Sequence, residues 1–128
     1  SKFDRQLIEL AHSLAVEDGD GDEAIPAAIG HTLGADGFYE QQGRTDGAIC
    51  GYTEADRAAW LRKLHDAGVR NIEMEAPALA AFCGELGIRV AAFNTAIVDR
   101  FHGDQVRITA EEISKFSSNA GRLAVRVI

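Results

Sequence analysis

Residues 88–98 form a run that is nearly all apolar and rich in β-branched side chains, and no other segment limits the choice of fold as strongly. A strand with one wet face alternates polar and apolar residues. A continuous apolar strand is covered on both faces, as in a parallel sheet with helices above and below. Helical signals flank the run. Pro77 suits a first helical turn, where its missing N–H costs nothing, and Leu79, Phe82, Cys83 and Leu86 predict a buried helical face ending at Gly87. On the far side, Thr109 and Glu112 have capping-box spacing, and Ile113, Phe116, Ala120, Leu123, Ala124 and Val127 follow as an amphipathic stripe.

The earlier part of the chain extends this alternation. Phe3, Leu7, Leu10, Ala11 and Leu14 recur at helical spacing and predict a helix ending before Glu17. Residues 25–33 read as a strand. Residues 34–51 are glycine-rich without a period, as in a long functional connection. Thr53 then caps a helix with Glu54 and Asp56 in its first turn, Trp60, Leu64 and Ala67 on its apolar face and Gly68 as its stop. A short strand is expected over residues 69–74. The fold class is therefore α/β, a mixed, largely parallel sheet flanked by helices, in a single domain of 128 residues. In such sheets ligands bind at the carboxyl ends of strands, here residues 38–44, 73–75 and 98–100.

Composition removes several classes of function. A net charge of −7 with scattered Lys and Arg repels a phosphodiester backbone, so no nucleic-acid partner is expected. No apolar run is long enough to span a bilayer, which argues against a membrane role. Cys50 and Cys83 show no metal-ligand spacing and fit a reducing compartment, so the expected location is cytoplasmic. Asp18, Asp20 and Asp22 resemble the start of a calcium loop, but Glu23 stands where glycine is needed and Ile29 where the closing glutamate belongs. A solvated acidic loop is the better reading. His31, His65 and His102 are too far apart in sequence to suggest a metal site.

Two segments carry chemistry. In Phe38-Tyr39-Glu40-Gln41-Gln42-Gly43-Arg44, an amide and a guanidinium follow a pair of aromatics. An amide offers a donor beside an acceptor, matching the O2 and N3–H of uracil, and arginine offers donors to a carbonyl such as O4. An exposed polar loop is the alternative on spacing alone. In Asn71-Ile72-Glu73-Met74-Glu75, a strand ends in two carboxylates. A carboxylate accepts hydrogen bonds from both hydroxyls of a ribose cis-diol, or else simply faces solvent or a helix N-terminus.

Residues 38–52, residues 68–75, Cys83, and Asp99-Arg100 with Gly103-Asp104-Gln105 together resemble the uridine phosphorylases of the nucleoside phosphorylase family, over nearly the whole chain. The resemblance implies that residues 1–128 are the C-terminal half of such a domain, with Phe38 packed on the base, Gln42 and Arg44 at the uracil edge, and Met74 and Glu75 at the ribose with Glu73 beside them. It further places Ile97 and Val98 in the wall of the base pocket and Arg100 near uracil O4. Purine-specific relatives carry aspartate at the Val98 position, so a pyrimidine is favoured. The catalytic set implied is Gln42, Arg44 and Glu75, and the reaction is reversible phosphorolysis of uridine to uracil and ribose 1-phosphate, with inorganic phosphate as co-substrate and no cofactor or metal.

The family's phosphate-binding glycine and arginines come from its N-terminal half, which nothing here matches. No activity is expected of this chain alone. A separate chain or segment supplying that half, in a homo- or hetero-oligomer, is the expected partner, unless the half belongs to the same gene product outside these residues. A catalytically inactive scaffold or assembly subunit is the alternative. Ala76-Pro77 and Phe93-Asn94 also depart from the family pattern, and they bear on pocket geometry without touching Gln42, Arg44 or Glu75.

Overall fold

Thr53 shows how local chemistry sets the frame. In the computed structural model, which describes residues 2–17 and 25–128, its hydroxyl accepts from the Asp56 N–H at 3.2 Å while the Asp56 carboxylate accepts from the Thr53 N–H at 2.9 Å. This reciprocal cap starts a helix at Glu54–Asp66. Gly68, at φ +87°, ends the turn that follows, in a conformation that favours glycine.

The helix connects two parallel strands, β1 (His31–Gly34) and β2 (Val69–Glu73). With α1 at Arg5–Glu17, it is α2 in chain order. Parallel neighbours need a crossover of this kind, because a tight hairpin cannot return the chain in the same direction. Gly34 pairs with Glu73, and the Ala35 N–H extends the ladder to the Glu73 carbonyl at 2.8 Å. The segments leaving both strands thus depart from one carboxyl edge. Residues 30–76 and 96–107 form one unit, and the stretch from residue 35 to residue 52 is irregular as predicted.

Residues up to 29, 77–95 and 108–128 make a second unit. It contains α1, most of α3 (Ala76–Glu85) and α4 (Ala110–Val127). Asp4 caps α1 by accepting from the Leu7 N–H at 3.0 Å, and Thr109 with Glu112 caps α4 in the expected box. Ala11, Ala15, Ile25 and Leu123 form the core between α1 and α4, with Leu14, Phe93 and Val127 packed against it.

Five expectations need correction. The buried residues of α2 are Arg57 and Leu61, while Trp60 and Leu64 are half-buried and Ala67 is exposed. The first helix continues through Glu17. Residues 25–30 are not strand, consistent with Pro26, which has no N–H to give a ladder. The buried stripe of α3 is Ala76, Ala80 and Cys83, at i, i+4 and i+7, while Leu79, Phe82 and Leu86 are exposed. Residues 88–98 belong to no ladder, since among the described residues β1 and β2 pair only with each other. Their apolar composition signals burial in a sheet, and pairing requires a neighbour that composition cannot supply. The acidic stretch Asp18–Asp22, with Glu23, lies outside the described residues. Cys50 and Cys83 are both free, and no described helix is long and apolar enough to cross a membrane.

Candidate functional site

The segment leaving β1 turns back on itself before it reaches Gln42 and Arg44. The Gln41 side-chain oxygen accepts from the backbone N–H groups of Asp36 and of Gly37, the latter at 3.1 Å. Gly43 donates to the Glu40 carbonyl at 3.0 Å, and Arg44 donates to the Tyr39 carbonyl at 2.9 Å. Gly43 sits at φ +60°, and a Cβ there would lie 2.8 Å from the Trp60 ring. Only glycine meets both demands, so the residue between the amide and the guanidinium is set by the turn and by α2.

Arg44 is held from several sides. Both of its terminal nitrogens donate to the Asp104 main-chain carbonyl at 3.1 Å, and its guanidinium carbon lies 4.3 Å from the centre of the Phe38 ring. Its own carbonyl accepts from the Tyr52 hydroxyl at 2.5 Å. Burial, followed by the nearby Cys50, pushes that phenol up from its ordinary value, so Tyr52 stays a donor at neutral pH. Phe38 therefore serves first as a platform for Arg44, with Tyr39 edge-on at 5.1 Å, while about half of the ring surface remains exposed.

Asp104 is the centre of a compact charge cluster. One carboxylate oxygen lies 3.0 Å from Arg100 Nε and 3.2 Å from Arg57 Nη2, and the other accepts from the Thr45 N–H at 3.0 Å. Arg57 also reaches Glu54 and the Arg100 carbonyl, and Arg100 Nη2 donates to the Gln42 carbonyl at 2.7 Å. Burial alone would raise the Asp104 carboxyl, but the Thr45 hydrogen bond and the charges of Arg100 and Arg57 outweigh it and lower the pKa. Burial pulls Arg100 down from its ordinary value, with Asp104 opposing.

The Gln42 side chain differs from these neighbours. The residue is only 8% exposed and its backbone carbonyl accepts from Arg100, but its amide atoms are not among the buried unpartnered ones. An amide that reaches the surface can take a ligand with complementary donors and acceptors.

At the end of β2, Glu73 accepts from the backbone N–H groups of Glu75 and Ala76 at 2.8 and 2.6 Å through one oxygen, while its other oxygen is buried without a partner. Glu75 and Met74 are exposed. Sequence reasoning gave Glu75 the larger role, whereas burial and an open acceptor single out Glu73. Ile97 is exposed and Val98 half-buried. Phe38 contacts Arg44, and Arg100 contacts Gln42, the two pairs being linked through Asp104; Glu73, Met74 and Glu75 share only the strand edge with them, and among the described residues no hydrogen bond or ion pair links Ile97 or Val98 to either group. Asp104, Arg57 and Tyr52 were missed as organisers. The basic and acidic residues at i and i+4, Arg100 and Asp104, were the available signal.

Comparison with known proteins gives consistent results. A sequence profile described as the phosphorylase superfamily matches residues 1–128. Mouse uridine phosphorylase 1 is 41% identical over 99 residues, covering 77% of this chain and 32% of the mouse protein. The inactive uridine phosphorylase B of Schistosoma mansoni is 34% identical over 95 residues, 74% of this chain and 32% of that protein. Among solved structures, a uridine phosphorylase of the oomycete Phytophthora capsici is 42% identical and superposes over 99% of this chain and 42% of its own with a TM-score of 0.85. The Schistosoma mansoni uridine phosphorylase in complex with uracil gives 0.84 at 31% identity, over 95% of this chain and 41% of its own. The α/β fold is that of the uridine phosphorylases. The chain spans about a third of the length of the curated relatives it matches.

Proposed function

The chain belongs to the phosphorylase superfamily, and from that premise we propose that it carries the uracil- and ribose-binding part of an enzyme for the reversible phosphorolysis of uridine. The observation that carries this reading is Gln42, a nearly buried residue whose backbone is held by Arg100, two positions before Arg44, whose guanidinium is fixed by the Asp104 carbonyl. Uracil presents an acceptor beside a donor, which an amide meets with its own donor and acceptor.

In the reaction a phosphate oxygen attacks C1′ as the C1′–N1 bond breaks, and the electron pair of that bond leaves on uracil. Negative charge spreads to the uracil carbonyls. Gln42 and Arg44 stabilise that charge as donors already in place, and removing one such donor typically costs about 3–4 kcal/mol of barrier. Arg100 holds the Gln42 backbone and adds positive potential near O4. Glu73 and Glu75 supply carboxylate oxygens for the ribose hydroxyls, Met74 packs on the sugar, and Ile97 and Val98 line the base.

The phosphate site comes from a complementary segment or subunit, in an oligomer, in the cytoplasm, with no organic cofactor or metal. The test is calorimetry with uracil on the native protein, joined to a uridine phosphorolysis assay. Uracil binding that is lost in Gln42→Ala, with turnover only when a phosphate-binding half is present, is the expected result; wild-type protein that binds no uracil overturns the reading. A second reading is a catalytically inactive subunit, favoured by the similarity to the inactive Schistosoma relative. It predicts neither turnover nor uracil binding in any assembly.

A further inference from the structure

We propose that Asp104 is a positioning residue that aims both Arg44 and Arg100 at the carbonyl groups of a pyrimidine, through its main chain for the first and its carboxylate for the second. The inference rests on the uracil-site reading above.

The geometry is unusual in what one residue holds. The Asp104 carbonyl receives both terminal nitrogens of Arg44, a two-pronged grip that fixes the plane of the guanidinium, while its buried Nε lies 3.7 Å from the Asp46 carboxylate. The carboxylate takes Nε and Nη2 of Arg100 on one oxygen, each at 3.0 Å, which fixes the second guanidinium. Its other oxygen accepts from the Thr45 N–H, so the residue that grips the Arg44 side chain also anchors the backbone immediately after Arg44. Gly103, at φ +123°, makes the turn that delivers Asp104 to this position.

Arg57 completes the arrangement. Its side chain is 4% exposed and joins the carboxylate from α2 at 3.2 Å, so Asp104 is neutralised without Arg44 having to turn toward it. The Asp104 carboxylate therefore does not draw on Arg44, whose nearly buried guanidinium has Asp46 as its ion-pair partner, 3.7 Å from Nε. A single residue that orients two donors, one through its main chain and one through its side chain, acts through them and touches no substrate itself.

The experiment compares affinities for uracil and for ribose 1-phosphate in the native protein assembled with its phosphate-binding half, with thermal melting recorded for each variant. In Asp104→Asn one charge-assisted anchor is lost, and uracil affinity is expected to fall roughly 10- to 100-fold while ribose 1-phosphate, which has no base, binds as before. Equal loss of both ligands reveals general disorder of the unit and overturns the inference, as does unchanged uracil affinity. Should Asp104→Asn not fold, Asp104→Glu keeps the charge, displaces it by one methylene and is judged by the same split. Wild-type protein that fails to bind uracil refutes the site reading and this inference together, whereas wild-type binding with no change in the variant refutes the inference alone.

Discussion

The unit built on α1 and α4 is held together by carbon, and the unit built on β1, α2 and β2 by charge. In the first, Ala11, Ala15, Ile25 and Leu123 meet without a polar group among them. In the second, Gln42, Arg57 and Asp104 are buried alongside Ala35 and Leu61. Apolar contact is non-directional and tolerates small shifts. Charge-assisted hydrogen bonds are directional, and a buried ion pair often adds little net stability because desolvation offsets the attraction. A protein gains from burying such a cluster where the direction of a side chain matters more than the strength of the fold. The charged unit is therefore the natural seat of recognition.

The division is broken most severely at Arg44. Arg44→Ala is expected to lower uridine turnover by about 10²–10³-fold, the usual effect of losing one preorganised donor to a developing anion, with only a small change in the urea midpoint. Leu123→Ala is expected to do the reverse. Loss of a buried leucine costs about 2–5 kcal/mol of stability, measured by denaturant unfolding, with uracil affinity per folded molecule unchanged. If each substitution lowers stability and affinity alike, the two units do not divide the work.

Acid pH offers a finer probe of the charged unit. The folded Asp104 carboxyl has a lowered pKa, so its contribution to stability is fully present above the ordinary carboxylate range and is lost as pH falls through the lowered value. Asp104→Asn should flatten that acid limb in a pH series of melting temperatures. Leu123→Ala should shift the whole curve down without changing its shape. An unchanged acid limb in Asp104→Asn would show that other carboxylates set it.

What could be read in advance follows the same division. Helix α2, strand β2 and the cap of α4 were legible because their signals are local, a threonine three residues before an acid and a glycine at a turn. Strand pairing over residues 88–98 was not, since a ladder depends on a neighbour. The α3 face was misassigned because its buried side is lined by alanines and a cysteine, which carry little hydrophobic signal beside Leu79 and Phe82. At the site, Phe38, Gln42 and Arg44 stood out as residue types suited to a base. Their organiser, Asp104, is roughly 60 positions from Arg44, and no local pattern links the two. The burial of one Glu73 carboxylate oxygen is likewise a tertiary fact that no local pattern signals.

The smallest expected effect tests the comparison with matched substitutions. Thr53 and Thr109 make the same capping box at the starts of α2 and α4, one in each unit. Thr53→Ala and Thr109→Ala should each cost about 1 kcal/mol of stability, read as equal shifts in urea midpoint with unchanged slope. Their consequences for binding should differ. Glu54, in the first turn of α2, accepts from the Thr45 hydroxyl at 3.2 Å and pairs with Arg57, so fraying that turn loosens the cluster around Asp104. The first turn of α4 touches no member of the cluster by any hydrogen bond or ion pair among the described residues. Uracil affinity should therefore fall a few-fold in Thr53→Ala and stay level in Thr109→Ala. Equal affinities in the two variants would mean that the charged cluster keeps its geometry without the helix that carries Arg57, and that its rigidity resides in the Asp104 turn alone.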